Sequence, residues 1–355
     1  MKRYLHPLDN LNVTLFQAIC DFNNLKKAHK NAKRNKGWYF EVQEVDKDLD
    51  NKLLELQKLL LNKEYHTSEY KVFTKKEGKK EREIYKLPYY PDRIVHWAIM
   101  QVIEPILLRQ FISTTYSAIP KRGIHKCLYQ ILEDRKDLKG TQYCLKLDVK
   151  KYYPSINHDI LKSKYRRIFK DDNLLWLLGE IIDSVSNKEG IPIGNYLSQY
   201  SGNFYLSSFD HWIKEECNVK YYYRYMDDIV ILHNDKQFLH NLFYKIKTYL
   251  FDELRLTIKD NWQIFPIYKR GLDYVGYRIY SSYVLLRKST KVSFINKMIH
   301  TKNKLINNKN YLLSYTDTCS VCSYLGWLKH CNSYSLQKKY IVPLFEINNY
   351  KLNNS

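Results

Sequence analysis

"YYYRYMDDIVIL", Tyr221 to Leu232, sets two adjacent carboxylates, Asp227 and Asp228, between two runs of strong β-formers. Tyr221 to Tyr225 reads as one strand and Ile229 to Leu232 as its return, so the acidic pair falls at or just after a hairpin turn. Tight two-residue hairpins favour Asn-Gly or Asp-Gly, and Met226-Asp227 is poor turn chemistry. An unfavourable turn held between good strands marks a candidate functional site. The chain supplies its own control in Asp171-Asp172 of "FKDDNLL", which stands in a polar turn before a helix, where Asp is a routine cap.

A third acid bears on the pair. Asp148 ends the alternating stretch "YCLKLDV", which reads as a strand, and is followed by "KKYYPSI". If the two β-elements lie side by side in one sheet, Asp148, Asp227 and Asp228 meet despite their distance in sequence. Such a cluster repels itself unless cations occupy it. Two Mg²⁺ ions would relieve the repulsion and clamp an attacking 3′-hydroxyl and a leaving pyrophosphate.

Composition points to a polyanion. The 355 residues carry 58 Lys and Arg against 37 Asp and Glu, a net charge of +21. That excess favours nucleic acid over a membrane surface, since no amphipathic basic helix stands out. The 33 Tyr and 6 Trp add faces on which bases could stack, although most serve strands and core. "MKRYLHPLDN" has a basic start but no apolar stretch behind it, so no secretory signal is expected. No run of about eighteen apolar residues occurs, so no membrane span is expected either. Seven scattered Cys fit a reducing cytoplasm better than a disulfide framework.

Elsewhere, "LKKAHKNAKRNK", Leu25 to Lys36, holds six Lys or Arg and no acid; it is either a solvated helix face or a contact with a nucleic-acid backbone. "DKDLDNKLLELQKLLLNKEY" has the Leu spacing of an amphipathic helix, and "TKKEGKKEREIYKLP" that of a basic hairpin turning at Gly78. Helices are expected over Asp92 to Gln110, through "TTYSAIPKRGIHKCLYQIL" after its loop, over His158 to Ser186, and within "GIPIGNYLSQYSGNFYLSSFDHWIKEE". Interleaved strands and helices around a central sheet give an α+β body. From Arg287 to Asn310 the chain holds seven Lys or Arg and no acid, and it reads as helical to about Tyr340. Such a lobe suits the grip on a duplex, and a plain basic bundle gives the same pattern. "CSVC", Cys319 to Cys322, with His330 and Cys331, could chelate Zn²⁺, although the segment reads as helix and Cys also serves as a small buried residue.

Asp148 with Tyr153 five residues later, then "GIPIGNYLSQ", "YMDD" and "GLDYVGYRIY", in that order and spacing, resemble the polymerase motifs of reverse transcriptases. Upstream, "KKEREIYKLPYYPDRIVHWAI" and "TTYSAIPKRGIH" are similar to the finger motifs of bacterial members, and the resemblance runs from about residue 10 to 340. Many members have Pro-Gln-Gly where this chain reads Pro192-Ile193-Gly194. Ile-Gly followed by Ser198-Gln199 resembles the reverse transcriptases of diversity-generating retroelements, and "GYRIY…LLRKS" and "GWYFEV" point the same way.

The resemblance implies a right-hand polymerase: an N-terminal extension and fingers over 1–142, a palm with an antiparallel catalytic sheet over 143–280, and a helical thumb over 281–355. It implies Asp148 and Asp227 as principal ligands of two Mg²⁺, replaceable by Mn²⁺, with the Val149 carbonyl as a further ligand and Asp228 in support. Tyr153 matches the aromatic beneath the incoming sugar that excludes a 2′-hydroxyl; core packing is the plainer reading. Arg82, helped by Lys76 or Lys80, suits the triphosphate, or these are exposed hairpin charges. Gln199 could bond template or nucleotide, or cap its helix. Arg122, His125, Ile193, Gly194, Ser198, Tyr225 and Met226 fall on the template and fidelity side, His125 being equally readable as a structural His. Many relatives carry a Lys after the hairpin as proton donor to pyrophosphate; the aligned position here is Trp262, Lys259 lies nearby, and the general acid stays open.

The expected activity is RNA-directed DNA synthesis in a bacterial or phage-encoded, cytoplasmic system. The substrate would be a template-repeat RNA extended from a DNA or RNA primer with deoxynucleoside triphosphates, with errors at adenines and a small basic accessory protein as partner. No nuclease, integrase or RNase H domain is expected in the rest of the chain, so later integration would use other proteins. The alternatives are a defence-associated or retron-like reverse transcriptase, a catalytically silent RNA-binding scaffold, and an RNA-dependent RNA polymerase, which Tyr153 disfavours.

Overall fold

The computed structural model describes residues 13–77, 80–185, 188–308 and 311–353, and of residues 76, 77, 80, 82 and 350–353 it describes the backbone alone. The body is α+β. Four helices, Leu15–Cys20, Phe22–Ala32, Phe40–Lys47 and Leu49–Leu61, form an N-terminal layer against the helix Ile94–Leu108. That helix is apolar nearly all round, so it is enclosed on most of its surface. Strands β1 (Lys71–Glu77) and β2 (Lys80–Lys86) make the basic hairpin, whose turn at Gly78 lies outside the described residues.

The central sheet has five strands in the order β3-β5-β6-β4-β7. They are β3 (Thr115–Tyr116), β4 (Tyr143–Asp148), β5 (Tyr221–Tyr225), β6 (Asp228–His233) and β7 (Gln263–Pro266). The side-chain period of two explains why "IVIL" is apolar throughout rather than alternating. Ile229 and Ile231, with Leu145, Leu147 and Tyr222, belong to a core shared with the helices of one face, among them Lys236–Leu254. Val230 and Leu232, with Cys144, Tyr221 and Tyr223, belong to a second core on the other face. A strand covered on both sides has no solvent face to keep polar.

The second core is closed by a three-stranded sheet, β8 (Leu272–Tyr274), β9 (Tyr277–Ile279) and β10 (Val284–Leu286), and by the C-terminal helices Lys288–Asn307, Tyr315–Leu328, Tyr334–Tyr340 and Val342–Asn353. Both residues between β8 and β9 have positive φ, Val275 at 42° and Gly276 at 86°. A two-residue turn of this hand suits the twist of a hairpin and favours glycine. The Trp327 ring stands where a Cβ on Gly276 would be, so the glycine also admits the helix Tyr315–Leu328. Helix continues to Asn353, beyond the Tyr340 expected from the sequence. Asp171 does cap its helix, accepting from Asn173 N (3.1 Å) and Leu174 N (3.2 Å). Among the described residues no helix is long and apolar enough to cross a membrane.

Candidate active site

Sheet register brings the three aspartates together. Tyr225 pairs with Asp228 across the β5–β6 hairpin, leaving Met226 and Asp227 at the turn, and Asp148 at the end of β4 pairs with Asp228. Met226 carries φ of 57°, a left-handed backbone that a non-glycine residue adopts at a cost of about 1–3 kcal/mol. The poor turn chemistry of Met226-Asp227 is therefore real backbone strain. Val149 is buried and donates its N–H to the Asp227 carbonyl at 3.3 Å, tying the end of β4 to the turn.

The carboxylates are half-buried, and two lysines reach toward them. Lys259 places Nζ 2.6 Å from Asp148 Oδ1, while its N–H donates to the Asp148 carbonyl at 2.9 Å. Lys146 reaches Asp228 Oδ2 at only 3.8 Å and donates instead to the Asp273 carbonyl at 2.7 Å. Asp228 Oδ1 is buried with no hydrogen-bond partner. Burial, then the charge of Asp148, pushes the Asp227 carboxyl up to about 7. Burial also raises Asp228, to about 6, with Lys146 pulling it down and Asp148 pushing it up. An all-oxygen donor set with raised carboxyls and an orphaned acceptor suits a hard divalent ion.

These acids open into a cleft of about 980 Å³ whose walls also carry Tyr153, Ile193, Gly194, Gln199, Tyr225 and Met226. Lys259, Arg270, Arg278 and Arg287 line it as well. The Tyr153 hydroxyl lies 3.6 Å from Met226 Sδ. Gly194 has φ of 121°, and the Tyr85 carbonyl would stand 3.4 Å from a Cβ there. The Ile193 carbonyl accepts from Tyr85 N at 3.2 Å, which docks the basic hairpin beside the cleft. The side chains of Lys76, Lys80 and Arg82 lie outside the described residues.

Three other residues singled out from the sequence are absent from the cleft wall. Arg122 Nη1 donates to the Ile112 carbonyl at 2.7 Å and so braces its own loop. His125 stacks on His330 with ring centroids 3.6 Å apart, and its Nε2 lies 3.1 Å from the Tyr277 hydroxyl. Ser198 is buried in its helix. Cys319 and Cys322 are exposed, and Cys331 donates to the Leu328 carbonyl. Among the described residues no group of three or more His, Cys, Asp or Glu side chains already surrounds a point where a metal could sit, and this holds for Asp148, Asp227 and Asp228 as it does for Cys319, Cys322, His330 and Cys331. Trp262 stacks on Phe243 at 3.7 Å.

Sequence reasoning missed Lys146, and it missed the buried Arg224. An arginine inside an otherwise apolar strand was the available signal, because a buried charge needs a partner.

Residues 74–279, more than half of the chain, match the family described as reverse transcriptase (RNA-dependent DNA polymerase). Protein YkfC of Escherichia coli (strain K12) is 24% identical over 216 residues, 58% of this chain and 50% of YkfC. Nuclear intron maturase 1, mitochondrial, of Arabidopsis thaliana is 25% identical over 91 residues, 26% of this chain and 12% of the maturase. The matches thus span half or less of the length of these relatives. Among solved structures, telomerase from Candida albicans with a TWJ fragment of telomeric RNA superposes with a TM-score of 0.48 at 12% identity, over 80% of this chain and 60% of that one. The chain belongs to the reverse transcriptase family, and its body is a mixed one of helices around a central sheet.

Proposed function

We propose that the chain is an RNA-directed DNA polymerase that extends a primer on an RNA template by two-metal phosphoryl transfer. The observation that carries this reading is the meeting of Asp148, Asp227 and Asp228 in one cleft whose other lining side chains include Lys259, Arg270, Arg278 and Arg287. Asp148 and Asp227, with the Val149 carbonyl and with Asp228 in support, are the groups that would hold two Mg²⁺, or Mn²⁺ in their place. When bound, the ions ease loss of the 3′-hydroxyl proton and neutralise charge on the departing pyrophosphate.

The protein's own part is positioning. A cation held by Asp148 would free Lys259, now paired with that carboxylate, and Lys259 is the side chain we assign to the departing pyrophosphate. Tyr153 sits beneath the sugar, where its ring excludes a 2′-hydroxyl, and Gly194 permits close approach of the hairpin to the nascent pair. Lys76, Lys80 and Arg82 would hold the triphosphate and Gln199 the base pair. In this reading residues 1–142 include the fingers, 143–280 are the palm and 281–355 the thumb.

Ile193-Gly194 followed by Ser198-Gln199 supports a narrower role, the error-prone copying of a template-repeat RNA in a diversity-generating retroelement, with a basic accessory protein. An aliphatic Ile193 lacks the amide hydrogen bonds of the glutamine found in many relatives, which would lower fidelity. The test is to copy a defined RNA with the purified chain and sequence the products. Errors concentrated at template adenines would support the diversifying role. Accurate copies would favour a defence-type or retron-like enzyme, and the absence of any product, with accessory protein and native RNA supplied, would favour a silent RNA-binding scaffold.

A further inference from the structure

Arg224 lies in β5 two residues before the strained Met226, and its side chain is wholly buried. Nε donates to Asp210 Oδ1 (2.7 Å) and Nη2 to Asp210 Oδ2 (2.5 Å). Nη1 donates to Asn203 Oδ1 (3.1 Å) and to the Met226 carbonyl (2.8 Å), and Nη2 to the Asn203 carbonyl (3.2 Å). All five guanidinium donors are used. Asp210, also buried, accepts further from Thr115 Oγ1 (2.8 Å) and the Tyr222 hydroxyl (2.5 Å). Asn203 Nδ2 donates to the Ser117 carbonyl at 2.8 Å.

A buried ion pair is weak evidence of stabilisation, since apolar packing of like volume often does as well. What this network holds is more informative. Strands β3 and β5 run parallel with Tyr116 opposite Tyr225, and both segments leave the sheet at that level in left-handed backbone. On one side are Ser117 (φ 78°) and Ala118 (φ 51°), on the other Met226 (φ 57°), and all three line the cleft. The two carbonyls that the network grips, those of Ser117 and Met226, belong to these two segments. Such backbone persists only where its surroundings over-determine it.

The structure assigns to Arg224 and Asn203 a positioning role: one buried clamp fixes both the turn that presents Asp227 and Asp228 and the neighbouring Ser117-Ala118 wall of the cleft. The inference deepens the polymerase reading and rests on it in one respect, that the aspartates it positions are those that bind the metal.

The test uses Arg224→Lys in the full chain. Lysine keeps the charge that Asp210 needs, but three donors on one nitrogen cannot serve Asp210, Asn203 and Met226 together. Displacing a reacting group by about 1 Å costs about 100-fold in rate, so single-turnover incorporation should fall by about that factor while primer–template affinity stays within about twofold. Mn²⁺ affinity, read by paramagnetic resonance titration, should weaken in parallel. Adding Met226→Gly, which takes positive φ without strain, should make the Arg224→Lys loss at least about tenfold smaller than in the wild-type background. A general loss of packing would gain nothing from that glycine. If Arg224→Lys fails to fold, Asn203→Leu removes the grip on Ser117 while sparing the Asp210 ion pair and the Met226 contact, and should lower incorporation with no rescue by Met226→Gly; a folded Asn203→Leu of wild-type rate would overturn the clamp. Wild-type rate and Mn²⁺ affinity in a folded Arg224→Lys, or a loss untouched by Met226→Gly, would overturn the clamp. A wild type that binds Mn²⁺ yet incorporates nothing, with accessory protein and native RNA supplied, would sink the polymerase reading, and the Mn²⁺ titrations would then decide the clamp. A wild type that does neither overturns both.

Discussion

Replacing Asp227 by Asn should stabilise the metal-free protein at pH 8 while ending its synthesis. Burial and the neighbouring Asp148 charge push the Asp227 carboxyl up to about 7, against about 3.9 in an unfolded chain. A group raised in this way binds its proton more tightly when folded. Its contribution to stability is full below about pH 4 and is lost as the pH rises through about 7. Three pKa units at about 1.4 kcal/mol each set a ceiling of about 4 kcal/mol. Water in the open cleft and the nearby Lys259 reduce this, and we take about 2 kcal/mol as the working figure. With unfolding entropy of about 2.1 cal/mol/K per residue, that corresponds to about 3 °C in a chain of this length. Asparagine keeps the shape, drops the charge and can donate to Asp148. The assay is thermal unfolding after chelation, at pH 5 and pH 8. The variant should melt about 3 °C above wild type at pH 8, with the gap shrinking at pH 5, and Mg²⁺ should raise the wild type more than the variant. A variant that melts below wild type at pH 8, or a gap indifferent to pH, would refute the electrostatic account of the cleft.

Tyr153→Ala should admit ribonucleotides, narrowing discrimination by about 10- to 100-fold, the worth of one steric clash; single-nucleotide incorporation with paired substrates reads this. Ile193→Gln should lower errors opposite template adenines, and an unchanged error spectrum on sequencing would remove Ile193 as their source. Gly276→Ala should cost at least about 2 kcal/mol in chemical denaturation, because its φ of 86° strains alanine and the new Cβ would stand 2.4 Å from the Trp327 ring.

The central sheet was legible because its signals are local. The β-formers around Asp227-Asp228, the alternation ending at Asp148 and the apolar run Ile229 to Leu232 each describe one strand, and pairing follows from covering both faces. Asp171-Asp172 could be set apart by local chemistry too. Strand β3 was not legible, since two residues carry no period, and β8 to β10 span three residues each. The setting of His125 depends on His330, more than two hundred residues later, and no local pattern announces a stack between them. Lys259 was noticed for its nearness to the expected proton donor, but its contact with Asp148 arises from the pairing of Val149 with Ile258. Arg224 shows the same limit: its residue type signalled a buried partner, while Asp210 and Asn203 come from a helical stretch whose placement the strand does not encode.

The most direct test of the central claim is extension of a DNA primer on an RNA template with Mg²⁺ and deoxynucleotides, comparing wild type with Asp148→Asn and Asp227→Asn. The account predicts template-directed synthesis by the wild type, its loss by at least about a thousandfold in each variant, and folded proteins throughout. Synthesis that survives removal of either carboxylate would contradict the assignment of this cleft as the polymerase active site.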